Sequence, residues 1–355
     1  MMEAFAVSLT HFIMKTTKHC VGVDISKDSI VCCLGSRIQE ESPVFSRPKT
    51  FTNDLKGFGQ LLDWCLQQVD NGVSFVLEAT GVYYERLAFW LDDRNQQLSV
   101  VLPNKIKHYS KSLNIKTKTD NVDAQVLSRF GLERKLDYWK MPTKFMREIK
   151  SLTREYQEAK VKLVAAKNQL HAKEHGYDCL VSVSRRLKRQ ISLLENQLLE
   201  IEAELRTTVM SDTLFYDKIT KVITIPGVSF ITAIIVLAET NGFALVKNAK
   251  QLVSYCGLDI QHNQSGGHEG KSKISKKGNS FIRKALYMPA LAASRYNKDL
   301  KVFYERIIDR KPAKKIGITA VARKLLILIY ILWKNDQEYI FEEQINNAVM
   351  EVGRY

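Results

Sequence analysis

The sequence predicts an α/β domain followed by an all-α half, and three observations carry that prediction. Up to about residue 145, short apolar runs bounded by turn residues alternate with stretches of helical spacing. From about 146 to 210 glycine and proline almost vanish, and apolar residues recur at alternating steps of three and four. Beyond Lys218 a Pro-Gly turn introduces an apolar helix, and helical patterns continue towards the C-terminus. The fold class is therefore α/β plus all-α: a mixed sheet with flanking helices, a long coiled-coil helical pair, and a mainly helical C-terminal domain with a helix-hairpin-helix-like element. The expected divisions are an N-terminal extension over 1–18, the sheet domain over 19–145, coiled-coil helices over 146–212, a C-terminal domain over 213–345 and a tail over 346–355.

Taken in order, residues 20–24 and 29–34 read as two strands around a turn at 25–28. Residues 44–51 read as a third strand, confined to an edge because Pro48 lacks an N–H for the ladder. Residues 55–69 have helical spacing, 74–79 form a short apolar run fit for a buried strand, and 82–91 read as a helix. A strand over 98–102, a short helix over 105–113 and a helix over 120–132 complete the domain, with Asp120 at a helix start where an acid is favoured. Hairpin first and β/α units afterwards indicate a mixed sheet. In the second region Ile149, Leu152, Tyr156 and Ala159 open one a/d stripe, and Leu187, Ile191, Leu194 and Leu198 open another. Gly176 and Asp178 mark the break between them. The pair either folds back on itself or joins a second subunit; the spacing is compatible with both, and self-association is expected because a heptad seam needs cover. In the third region ITIPGVSFITAIIVLAE reads as helix, Pro-Gly turn, helix, either a phosphate-gripping module or a plain packing unit.

Composition narrows the function. Lys and Arg total 53 against 38 Asp and Glu, a net charge of +15, more than solubility needs, so the partner expected is a polyanion and foremost nucleic acid. The six cysteines form no CxxC pair and no zinc spacing, which excludes zinc-ribbon chemistry; they read as small buried hydrophobes in a reducing cytoplasm. The N-terminus has no basic stretch leading into an apolar core, so no signal peptide is expected. The longest apolar run, LLILIYILW at 325–333, is too short to span a bilayer and reads as a buried helix. The expectation is a soluble, cytoplasmic protein with no membrane partner.

Four acids stand out. Asp24 ends the first strand in VGVDISKD, Glu78 ends the buried strand in FVLEATGVY, and Asp120 and Asp123 share one face of a helix start in KTKTDNVDAQ. Singly, Asp24 can cap the adjacent turn and Asp120 can be an N-cap. Together, acids at strand ends cost free energy unless a divalent cation neutralises them. Hard Mg²⁺ or Mn²⁺ prefers such oxygens and keeps waters free for a phosphate. The order strand acid, strand acid, helix acid pair matches an RNase H-like metal site.

These strings resemble the DEDD, RuvC-like domain of the IS110 family of insertion-sequence transposases, relatives of the Piv-type DNA invertases. ITIPGVSFITA, LVSYCGLDI, QSGGHEGKSKISKKGN and FIRKALYMPA resemble that family's second domain, so the resemblance runs from about Val21 to about Leu332, with the middle matched only in helical character. It implies that Asp24, Glu78, Asp120 and Asp123 are catalytic metal ligands and that Ser265, in QSGGHEG, is the catalytic serine. It also implies a covalent serine–DNA intermediate, DNA as substrate, a structured noncoding guide (bridge) RNA, and dimers that pair into tetramers in which one subunit's acids work with another's serine. On chemistry alone, Ser265 beside two glycines is either a turn residue or a hydroxyl open to a ligand. No Ser-His-Asp arrangement is visible to activate it. Lys118, His268, Lys271, Lys273, Lys276, Lys277, Arg283 and Lys284 are candidate nucleic-acid contacts or a solvated face. Tyr83 and Tyr84 read as core packing rather than nucleic-acid contacts. Two rival readings are a RuvC-like nuclease or junction resolvase without a covalent intermediate, and a non-catalytic nucleic-acid-binding protein. The target sequence, the guide RNA, and excision versus inversion are not encoded in these motifs.

Overall fold

The computed structural model describes residues 17–38, 41–69, 72–261, 264–265, 268–270, 272–310 and 313–340. Most of the expected N-terminal extension and all of the expected tail lie outside these residues; Thr17 and Lys18 already belong to the first strand. The chain divides into two compact units, Met1–Met141 and Pro142–Tyr355.

In the first unit β1 (Thr17–Ile25) and β2 (Ser29–Ile38) form an antiparallel hairpin in full register. The single strand expected over 44–51 is two, β3 (Val44–Phe45) and β4 (Lys49–Thr52), each antiparallel to β2. Pro48 lies between them, where it can break the ladder without costing it a bond. After α1 (Leu55–Leu66), N-capped by Asp54, comes β5 (Val73–Glu78), parallel to β1. The helix expected from 82 begins later, as α2 (Glu85–Asp92), because residues 81–84 are turn. β6 (Gln97–Val101), parallel to β5, α3 (Pro103–Ser112) and α4 (Asp120–Glu133) follow. The sheet order is β3-β2-β1-β5-β6, with β4 on β2. Strand alternation sends Val21, Val23, Phe75 and Leu77 to a core with α1 and α2. It sends Cys20 and Val76 to a core with α3 and α4. This is the mixed α/β unit that hairpin-then-β/α patterning implies.

In the second unit α5 (Lys144–Glu174) and α6 (Val181–Met210) pack against each other as an antiparallel hairpin, tied by Lys167–Glu195 and Lys188–Glu174. The heptad stripes thus cover one another within the chain: Ile149, Ala159, Ala166, Leu194, Ile201 and Leu205 are buried. α7 (Thr213–Val222) and α8 (Phe230–Thr240) flank the Pro-Gly turn, which packs against the later helix bearing Pro289 and Ala293, with Gly227 beside the Pro289 carbonyl and Ala293 amide. That contact agrees with the packing reading of this turn. α9 (Ala249–Tyr255) leads into a loop of two-residue strands: β7 (Ile260–Gln261), β8 (Gln264–Ser265), β9 (His268–Glu269) and β10 (Lys273–Ile274). α10 (Ser280–Tyr296), α11 (Lys298–Arg310) and α12 (Lys314–Asn335) follow. α12 is long and apolar enough to cross a membrane, yet Leu325 to Leu332 are buried in the protein core. Five of the six cysteines are buried as free thiols, and Cys179 is half-exposed.

Candidate functional site

The first unit gathers the four acids by topology. β1 and β5 are parallel neighbours, in register to the pair Val23–Leu77, so Asp24 and Glu78 come next on the same carboxyl edge of the sheet. Thr119 N-caps α4, its Oγ1 accepting from the Val122 amide, which sets Asp120 and Asp123 in the first turn. α4 reaches this edge because it lies directly on β1. A Cβ at Gly22 would overlap the Ala124 carbonyl and the Ser128 amide. The Ser128 hydroxyl donates to the Cys20 carbonyl at 2.9 Å, fixing the helix on the strand. The motif VGVDISKD contains Gly22 in plain sight, but no spacing rule signals that a helix backbone rests on it.

Electrostatics registers the convergence. The Asp24 carboxyl is pushed up to about 6, first by burial and then by repulsion from Asp120, Asp123 and Glu78. Asp123 is also raised, by burial and by Asp120, against the pull of exposed Lys118. Thr80 donates to Glu78 Oε1 at 2.7 Å and orients it, a partner that sequence reasoning missed. Asp120 is exposed, while Asp24, Glu78 and Asp123 are half-buried. Among the described residues no group of three or more His, Cys, Asp or Glu side chains is placed to hold a metal ion. The donor set itself, four carboxylates of which Asp24 is raised by burial and by its acidic neighbours, suits a hard divalent cation.

The second unit holds the serine loop. Ser265 is exposed at the end of β8 and pairs in register with His268 of β9. The base of the loop is fastened at several points. Lys276 N–H donates to the Gly257 carbonyl, Ser275 N–H to Asp259, and Asn279 N–H to Tyr255. Arg283 donates Nη1–H to the carbonyls of Cys256 and Gly278 at 2.7 and 3.0 Å, so this half-buried candidate also closes the loop. Gly257 turns at φ +64°, where a side chain would be strained and would also crowd Arg283 and Lys276. Beneath the loop, Glu239 is buried at the end of α8. It accepts two hydrogen bonds from Arg154, at 2.7 and 3.2 Å, and one from Asn279 Nδ2 at 2.7 Å. Asn279 Oδ1 in turn caps α10. Sequence reasoning missed this anchor, since an acid in an apolar run gives no hint of its partners. Lys273, Lys276, Lys277 and Lys284 are exposed, and Lys271 lies outside the described residues. Of the two tyrosines after Glu78, Tyr84 packs on the core and Tyr83 is exposed.

Comparison with known proteins places both units in one group. A family model described as a transposase, for the DEDD domain of IS110 elements, matches residues 21–173. A second, described as "Transposase IS116/IS110/IS902 family", matches residues 220–305. Together they take in more than half of the chain. The pilin gene-inverting protein of Moraxella lacunata is 28% identical over 341 residues, covering 91% of this chain and 98% of that protein. The one from Moraxella bovis is 28% identical over 338 residues with the same coverage. The transposase for insertion sequence element IS1111A of Coxiella burnetii is 27% identical over 169 residues, 45% of each chain.

Proposed function

The chain belongs to the IS110 family of transposases and is a DNA recombinase, and from that premise we propose that it cuts and rejoins DNA through its four acids and Ser265. Asp24, Glu78, Asp120 and Asp123 would hold Mg²⁺ or Mn²⁺, which when bound polarises a phosphodiester and neutralises its charge. Ser265 Oγ attacks the scissile phosphorus. The new Oγ–P bond replaces the P–O bond to the neighbouring nucleotide, the hydroxyl proton is lost, and the leaving oxygen takes up a proton. Attack by a free DNA hydroxyl on that linkage restores the serine and joins the strands. A structured guide RNA chooses the site, the working particle is a multimer, dimers paired into tetramers, and the setting is the bacterial cytoplasm. The observation that carries this reading is the arrival of four acids from β1, β5 and α4 at one sheet edge, with Asp24 raised first by burial and then by the other three.

The test pairs two variants. Ser265→Ala should retain DNA binding and lose covalent protein–DNA adducts; adducts of undiminished yield would reject the serine. Asp120→Asn should lose metal-dependent strand cleavage, and full activity would reduce the acids to structural residues. Cleavage by the wild-type chain that leaves only free ends, never a linked protein, would favour a water-using nuclease instead.

A further inference from the structure

The segment between β6 and α4 has a charge that its fold does not explain. Residues 103–119 carry Lys105, Lys107, Lys111, Lys116 and Lys118 with His108, and no acid at all. Five positive charges in so short a stretch make up a third of the net +15 of the whole chain. Tertiary packing needs only the other face of α3: Ile106 and Tyr109 are buried against Val126 and Phe130 of α4, with the Tyr109 and Phe130 rings 4.9 Å apart. Lys105, Lys107, His108 and Lys111 are all exposed, as are Lys116 and Lys118. Lys107 and Lys111 stand one helical turn apart, a like-charge spacing that weakens a helix. Among the described residues no ion pair joins any of the five to an acid. By contrast, α1 and α2 mix signs, with Lys56 and Asp63 on one and Glu85, Arg86 and Asp92 on the other.

Topology gives the segment its place. Val101, the last residue of β6, pairs with Glu78 in the parallel register, and the Ala79 amide donates to the Val101 carbonyl. The segment thus leaves the sheet one strand away from Glu78. It returns at Thr119, the cap that precedes Asp120. Both ends of the lysine-bearing stretch therefore meet the carboxyl edge that carries the acids. Anions would be repelled by those acids alone; an exposed cationic run beside them draws a polyanion in.

We propose that α3 and the stretch to Lys118 are a phosphate rail. It holds the backbone of the DNA strand whose phosphodiester enters the acid cluster, through Lys105, Lys107, Lys111, Lys116 and Lys118. This rests on the reading of the acids as a nucleic-acid-cutting centre and adds the element that seats the strand there. Contacts of this kind position without reading sequence. The rail therefore sets affinity and salt dependence and leaves target choice elsewhere.

The experiment uses the full chain with Ser265→Ala, so that binding is read without chemistry. Its affinity for a labelled DNA duplex and for a structured RNA of equal length is measured across a salt series. Lys107→Gln/Lys111→Gln is compared with the charge-matched pair Lys49→Gln/Lys56→Gln, on β4 and α1. The rail predicts weaker DNA binding for the first pair only, with the slope of log affinity against log salt shallower by about 2, near 0.9 per lost phosphate contact. Equal slopes for both pairs would overturn it by leaving only bulk charge. A loss confined to the RNA would overturn it by assigning the lysines to another polymer. Matching circular-dichroism melts exclude a folding defect; if Lys107→Gln/Lys111→Gln melts early, Lys116→Gln/Lys118→Gln, which lies outside α3, takes its place. If the parent chain binds no DNA at all, it is the underlying functional reading that fails, whereas normal binding with an unaltered slope condemns the rail alone.

Discussion

At the scale of single residues, the acid cluster depends on atoms that are absent as much as on those present. Gly22 has no Cβ, and that is what admits the α4 backbone onto β1. Gly22→Ala forces backbone against backbone and should destabilise the first unit by about 3 kcal/mol, the upper end for overpacking. Chemical denaturation would read this as a lower midpoint, and an unchanged midpoint would mean that α4 does not rest there. Asp24 makes a second prediction. Its carboxyl, raised to about 6 from the ordinary 3.8, takes up a proton in the folded protein before it does so in the unfolded chain. Folding therefore binds protons between about 4 and 6, so without a divalent cation stability rises as the pH falls through 6. With a cation present the proton competes with it, so cation affinity should climb as the pH rises through the same range. Thermal melts in chelator at pH 5 and 7.5, with Asp24→Asn as reference, test the sign. The wild type should gain on acidification relative to the variant, and a relative loss would contradict the raised carboxyl that burial and the neighbouring acids give Asp24.

At the scale of elements, the serine loop is held by what lies under it. Glu239 joins α8 to Arg154 of α5 and to Asn279, which caps α10. Glu239→Ala should cost about 3 kcal/mol, the low end for breaking a buried ion pair, because Arg154 keeps some access to water. The denaturation midpoint should fall with an unchanged slope. A shift below experimental error would show that Arg154 and Asn279 find other partners. The elements also mark how far the sequence can be read. Strands β1, β2, β5 and β6 are legible because their apolar runs are short and bounded by turn residues. The heptad stripes announce α5 and α6, and Asp120 announces the start of α4. The split of 44–51 into β3 and β4 is not legible, since Pro48 is compatible with an edge strand or with a gap. Whether the heptads close within the chain is equally silent, because an a/d seam is indifferent to where its partner comes from. The order of the acids is visible, but their convergence depends on the parallel pairing of β1 with β5 and on the Gly22 seat. Both are long-range facts with no local signature.

At the scale of the whole molecule, the two proposed halves of the chemistry lie in different compact units, the acids within Met1–Met141 and Ser265 within Pro142–Tyr355. A chain built this way can complete a site from one copy or from two, and a mixing experiment separates these outcomes. Asp120→Asn keeps its serine and loses an acid; Ser265→Ala keeps its acids and loses the nucleophile. In a symmetric dimer whose sites each draw acids from one subunit and serine from the other, a mixed pair has one site that is wholly defective and one that is wholly intact. Equal mixing makes half of the dimers mixed, so activity should return to about a quarter of the wild-type value although each variant alone is inactive. If each site is built within one chain, every site in the mixture carries one lesion and nothing returns. The expected outcome is recovery, read as covalent protein–DNA adducts after the variants are unfolded and refolded together so that subunits exchange. The adduct should reside only on the Asp120→Asn polypeptide, because that is the chain bearing the intact serine. Adduct on neither polypeptide would place acids and serine of one site on the same chain and remove the reason for a multimeric reaction centre.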